Sequence, residues 1–180
     1  MDFFPILYTP HWGYIFYMAN NNYSFWGCAV LGMHDAIVST TGLVVGLVFA
    51  AAGRYAILLT AIIASVAAGL SMTASEYLAV RAGGNARTAM RCGIATGAAY
   101  LFTAGMLVVP FLFITNTFVA LAMTYITAVS VIFFFNFVKS HICHERFWPR
   151  FVEMISICAI VTFAAFIIGE CAKLFFGVEI

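Results

Sequence analysis

From Cys92 to Val138 the chain contains no Asp, Glu, Lys or Arg. A helix crossing the hydrocarbon core of a bilayer needs about 20 mostly apolar residues. A charge inside such a helix is expensive, so charges act as punctuation between spans. Residues 36–53 and 55–75 are also free of charge. The stretch 92–138 is too long for one span, and Pro110 with the polar Thr115-Asn116-Thr117 divides it in two. A last run, 154–169, continues through Glu170 and Lys173 to Phe176. The pattern predicts an all-α integral membrane protein with five transmembrane helices at about 30–53, 55–79, 92–113, 117–138 and 152–176.

Composition excludes the alternative of a lone water-soluble domain. Only 8% of the 180 residues are charged, 64% are hydrophobic and the mean hydropathy is +1.05. Soluble domains carry about a quarter of their residues as charges. The net charge of +1 supplies no basic field, so no nucleic-acid partner is expected. The five cysteines (Cys28, Cys92, Cys143, Cys158, Cys171) are scattered and never spaced C-x-x-C. That spacing argues against a disulfide framework or a structural zinc site, and for free thiols acting as small hydrophobes. No Lys or Arg precedes Arg54, so the N-terminus does not read as a signal peptide.

With five spans the termini lie on opposite sides. An N-terminus inside places Arg81, Arg87, Arg91, Lys139, Arg146 and Arg150 in cytoplasmic loops, leaving Arg54 and Lys173 outside. The positive-inside rule therefore predicts a cytoplasmic N-terminus and an outside C-terminus. Residues 1–29 are dense in aromatic side chains, including Trp12, Tyr14, Tyr17 and Trp26. They are expected to lie along the cytoplasmic membrane face or to form a poorly ordered tail.

Three polar or soft side chains stand out against this apolar background. Asp35 opens the first span, and Met72 and Glu76 lie near the end of the second. Eighteen residues separate Asp35 from Gly53, and eighteen separate Arg54 from Met72, about 27 Å of helix in each case. On antiparallel neighbours Asp35 and Met72 are then at similar depth, with Glu76 one turn nearer the cytoplasm. Asp35, Ser39, Gly42, Gly46 and Gly53 form a stripe on the first helix, and Ala61, Ser65, Ala68, Met72 and Glu76 form one on the second. Small-residue stripes mark close helix–helix contact, so the carboxylates and thioether are expected to face protein. Hard oxygens with a soft sulfur suit a first-row divalent cation better than magnesium or calcium. Each residue also has a plain structural role open to it. Met72 could fill the core, Asp35 could cap its helix beside His34, and Glu76 could pair with Arg81.

The stretch HDAIVSTTGLVVGLVFAAAGRYAILLTAIIASVAAGLSMTASEYLAVRA resembles the first two helices of the vacuolar iron transporter family. Its SMTASEYLAVRA segment is similar to that family's second-helix signature, and GAAYLFTAGMLVVPFLF and the segment from Arg150 to Gly169 are similar to its third and fifth helices. The resemblance covers about residues 30 to 176. It implies a five-helix homodimer that exports Fe2+ or Mn2+ from the cytosol in exchange for protons, with no permanently bound cofactor and no enzymatic activity. It assigns the ion path at the dimer interface to Asp35 and Met72, and the signature glutamate to Glu76. A prokaryotic member would sit in the cell membrane, and a plant or fungal one in the vacuolar membrane. Two features depart from the family pattern. Asp35-Ala36 replaces the usual Asp-Gly, and about a dozen acid-free residues, Val80 to Arg91, replace the glutamate-rich cytosolic metal-capture domain of the plant type.

Weaker candidates remain. His141, Cys143, His144 and Glu145 form a cluster that could hold a first-row metal near the cytoplasmic mouth, or be an ordinary basic-flanked loop. Glu153 starts the fifth helix as a cap or a mouth carboxylate. Glu170, near the outer end, is expected to pair with Arg54 or Lys173, or to serve as an exit site. The competing function is a membrane-embedded interaction or assembly protein in which Asp35 and Glu76 are locked in helix–helix hydrogen bonds. An intramembrane enzyme ranks below both, because no nucleophile–base pair lies within the spans.

Overall fold

The computed structural model describes residues 25–83, 86–143 and 147–176. They form five helices: α1 (Phe25–Phe49), α2 (Arg54–Ala82), α3 (Ala86–Phe113), α4 (Thr117–Cys143) and α5 (Phe147–Phe176). All five are long and apolar enough to cross a membrane. Most of the predicted N-terminal segment, residues 1–24, lies outside the described residues. The helix α1 already runs from Phe25, so it takes in the last residues of that segment.

The helix ends follow local chemistry. α1 stops in a Schellman turn, in which the Ala52 N–H donates to the Leu47 carbonyl and the Ala51 N–H to that of Val48. Ala51 takes the left-handed conformation (φ 60°) that such a turn needs. This ends α1 at Phe49, four residues before the expected Gly53. Pro110 lies inside α3 and lacks the N–H that would bond one turn back, yet the helix runs on to Phe113 and the Ile114 N–H still donates to the Pro110 carbonyl. The break between α3 and α4 is made instead by Asn116, whose Oδ1 accepts from the N–H groups of Phe118 (3.0 Å) and Val119 (3.3 Å). The link from α2 to α3 spans only the few residues between Ala82 and Ala86, so α2 and α3 form a tight hairpin with no inserted domain.

Packing corrects one expectation. α1 and α2 touch each other less than either touches α3, which runs between them. Close approach is made by glycine on both sides of α3. A Cβ added to Gly32 of α1 would lie 2.0 Å from the Thr96 carbonyl oxygen, and one on Gly97 of α3 would lie 1.7 Å from Thr73 Oγ1 of α2. The Gly42–Gly46 stripe of α1 serves α5, not α2. Gly42 meets Val161 and Ala165, and Gly169 lies over the Gly46 carbonyl. The small-residue pattern thus marks intimate contact, but with a different partner.

The α1–α3 seam at Gly32 has a testable consequence. The clash is with backbone, which cannot rotate away, so Gly32→Ala must separate the two helices. Overpacking of this kind costs about 1–3 kcal/mol or more. The variant should lose monodisperse protein in detergent or melt well below wild type, whereas Gly27→Ala, with nothing within 4 Å, should not.

Candidate metal site

The residues singled out by sequence lie toward one end of the bundle, where α1, α3 and α5 begin and α2 and α4 finish. Asp35 is ten residues into α1, so it cannot cap that helix. It is half-buried, and among the described residues its carboxylate has no hydrogen-bond or ion-pair partner. Its backbone carbonyl accepts from Ser39 Oγ (2.6 Å), and that hydroxyl also shares a 2.8 Å hydrogen bond with Tyr100 OH. Ala36 is fully buried against Tyr100 and Ala104 of α3. Ala36, where the resemblance implies glycine, fills a packing position in an unbroken α1.

Met72 packs with Ala68 onto the same Ala36–Tyr100–Ala104 cluster. Ala36, the residue after Asp35, belongs to that cluster, so Tyr100 and Ala104 of α3 supply a surface common to α1 and α2 here. Glu76, one turn further along α2, behaves differently. It is half-buried and approaches Cys28 Sγ at 3.8 Å rather than Arg81. Cys28 of α1 and Cys92 of α3 are joined, with a Cα–Cα distance of 5.4 Å across 64 residues of sequence. One ligand atom from each of Cys28, Glu76 and Cys92 lies within 4.8 Å of the other two, and Asp35 is not part of this group. The expectation of five free cysteines fails here. Spacing along the chain carries no information about a pair brought together by the α1–α3 seam. Among the described residues Cys158 and Cys171 are free.

His34 is the other residue that spacing gave no reason to select. Its Nε2 is buried with no hydrogen-bond partner among the described residues. It lies within electrostatic reach of the Asp35 and Glu153 carboxylates. Glu153 also pairs with Arg150 at 3.3 Å, but both side chains are more than half exposed, so the pair adds little stability. The orphaned imidazole nitrogen beside Asp35 could have been suspected only from the adjacency of His34 and Asp35 in sequence.

His141 is exposed and lies edge-on to Phe137, with ring centroids 5.4 Å apart. His144 and Glu145 lie outside the described residues. Glu170 is half-buried with no ion-pair partner among the described residues. Arg54 is engaged elsewhere, its Nε donating to the Phe111 carbonyl (2.8 Å) and its Nη2 to that of Leu112. It thereby satisfies the carbonyls that the end of α3 leaves open. An apolar crevice of about 620 Å3 between α1, α4 and α5 is lined by Ile37, Thr41, Tyr125, Cys158 and Thr162 among others. It holds neither carboxylate nor imidazole, and so no ligand set for a hard or borderline ion.

No curated protein and no solved structure matches the chain. A family model does: that of the VIT family, over residues 27–89. The match takes in α1, α2 and the first residues of α3, and with them Cys28, His34, Asp35, Met72 and Glu76. Residues 27–89 therefore carry the VIT family's sequence, consistent with a member of the vacuolar iron transporter family.

Proposed function

We propose that the chain is a homodimeric transporter that carries a divalent transition metal, Fe2+ or Mn2+, out of the cytosol in exchange for protons. The observation that carries this reading is the half-buried Asp35 carboxylate, which has no partner among the described residues of a VIT-family stretch. A carboxylate in a span costs about 2.5–3.5 kcal/mol at the centre on insertion scales. A passing cation offsets that cost, and Met72 at the same level adds a soft ligand that favours first-row ions. The assembly-protein alternative requires Asp35 to be tied into helix–helix hydrogen bonds, and its free carboxylate speaks against that.

Proton coupling follows from the ligand type. A metal and a proton compete for the same carboxylate, so binding weakens as pH falls. An acidic compartment on the far side then releases the ion and returns a proton. The clustering of basic residues at the α2–α3 and α4–α5 links supports placing those links in the cytosol.

Proteoliposome uptake tests this directly. Fe2+ or Mn2+ uptake should accelerate when the trans side is made acidic and stall when the gradient is collapsed. Uptake indifferent to the gradient would leave a channel or uniporter. In the same preparation, cysteines placed at Gly84 and His144 should be labelled from the cytosolic face and one at Gly177 from the opposite face. Labelling of Gly84 and Gly177 from one side would overturn the five-span orientation.

A further inference from the structure

We propose that Cys28, Cys92 and Glu76 form a second metal site, a thiol–carboxylate trap that a disulfide closes and reduction opens. Three helices converge to build it: Cys28 from the first turn of α1, Glu76 from the last turns of α2 and Cys92 from the second turn of α3. Both cysteines are buried, at 3% and 1% exposure, among Val80, Ala89, Ala95 and Tyr77. Their backbones are held in place independently of the sulfurs. Thr96 Oγ1 donates to the Cys28 carbonyl at 3.0 Å, and Gly32 seats α1 against Thr96 one turn further on. The three ligand atoms lie within 4.8 Å of one another, a spread that one ion can draw into its coordination shell.

The two oxidation states differ in what they offer. In the disulfide neither sulfur carries a proton or a free thiolate, so the 3.8 Å approach of Cys28 Sγ to Glu76 is a contact only. Reduction by a low-molecular-weight thiol consumes two thiols and releases their disulfide, leaving Cys28 and Cys92 as thiols. Loss of those two thiol protons to solvent on metal binding then gives two thiolates and one carboxylate around the ion. Three protein ligands leave a fourth position open, as in sites that exchange what they hold. Thiolate donors select Zn2+, Fe2+ and Co2+ over Mn2+, Mg2+ and Ca2+. A low-molecular-weight disulfide reverses the exchange and abolishes the site.

Cys28 is seven residues before Asp35 on α1, about 10 Å of helix. An ion entering at this end of the bundle meets the thiols before the Asp35–Met72 level. The binding site stands apart from the transport reading, and only its placement in the cytosol, where thiols are kept reduced, rests on that reading.

The test uses the full chain in detergent without oxygen, with Co2+ as the probe. After dithiothreitol treatment and its removal, wild type should bind Co2+ with a thiolate-to-cobalt charge-transfer band. After treatment with oxidised glutathione the band should vanish and two fewer thiols should titrate. Cys28→Ser and Cys92→Ser should each lose both the band and the redox-dependent thiol count. Glu76→Gln should keep a thiolate signal but bind Co2+ roughly tenfold or more weakly. A reduced wild type without the band, or a band that survives in the Cys28→Ser/Cys92→Ser double variant, overturns the site. A band unchanged by oxidised glutathione overturns its gating. Asp35→Ala should leave the band intact, so a failed thiol site and a failed transport reading are told apart in one set of proteins.

Discussion

Asp35→Ala is expected to reduce metal uptake to that of empty vesicles and, in the same protein, to leave the fold as stable as wild type or more so. The first half rests on the transport reading and the second on the Asp35 carboxylate having no ion-pair or hydrogen-bond partner among the described residues. Removing it breaks no ion pair and no hydrogen bond, since Ser39 uses the backbone carbonyl of Asp35 and the hydroxyl of Tyr100. What is removed is the cost of holding a charge within a span, at most about 2.5–3.5 kcal/mol at the bilayer centre. A thermal midpoint in detergent at or above that of wild type, with no uptake, is the expected pair of results. A carboxylate locked in a helix–helix contact would behave oppositely, with a lower midpoint. Wild-type uptake in the folded variant would remove Asp35 from the ion path.

Met72 is expected to govern which ions pass. Its thioether contributes little to Mg2+ or Ca2+ but tolerates the softer first-row ions. Met72→Asp adds a second carboxylate at the level of Ala36 and hardens the site, so competition by Ca2+ or Mg2+ should rise relative to wild type even where total transport falls. Met72→Leu conserves volume against Ala36, Tyr100 and Ala104. Such swaps cost under about 1.5 kcal/mol, so the protein should fold and transport with weakened discrimination. Competition curves for both variants, run against wild type, separate a ligand from a core residue. Unchanged rate and selectivity in Met72→Leu would make Met72 packing alone.

The number of spans, the break between α3 and α4 and the short α2–α3 link were legible in the sequence, because they depend on local energetics. By contrast, α1, α3 and α5 begin, and α1, α2 and α4 end, several residues away from where charge punctuation put them. A charge in hydrocarbon is costly wherever the neighbouring helices stand, so charge-free runs mark spans in advance of any packing. Asn116 caps α4 using groups within three residues of itself, and that too is local. Asp35, Met72 and Glu76 could be singled out because each is the wrong kind of residue for lipid.

Which faces meet was decided by the tertiary structure. A glycine stripe announces that some backbone will come close, but it does not name the backbone. Gly42 and Gly46 meet α5, while Gly32, Gly93 and Gly97 fit α3 between α1 and α2. Once α3 holds that position, Cys28 and Cys92 are neighbours despite 64 intervening residues. Glu76 then turns toward sulfur, the Nε2 of His34 is buried without a hydrogen-bond partner among the described residues, and Arg54 directs its guanidinium to the end of α3. Sequence fixes what each side chain can do in a membrane, because transfer energies belong to single residues. Pairing depends on the rotation of each helix about its axis, and that is set only when all five pack together.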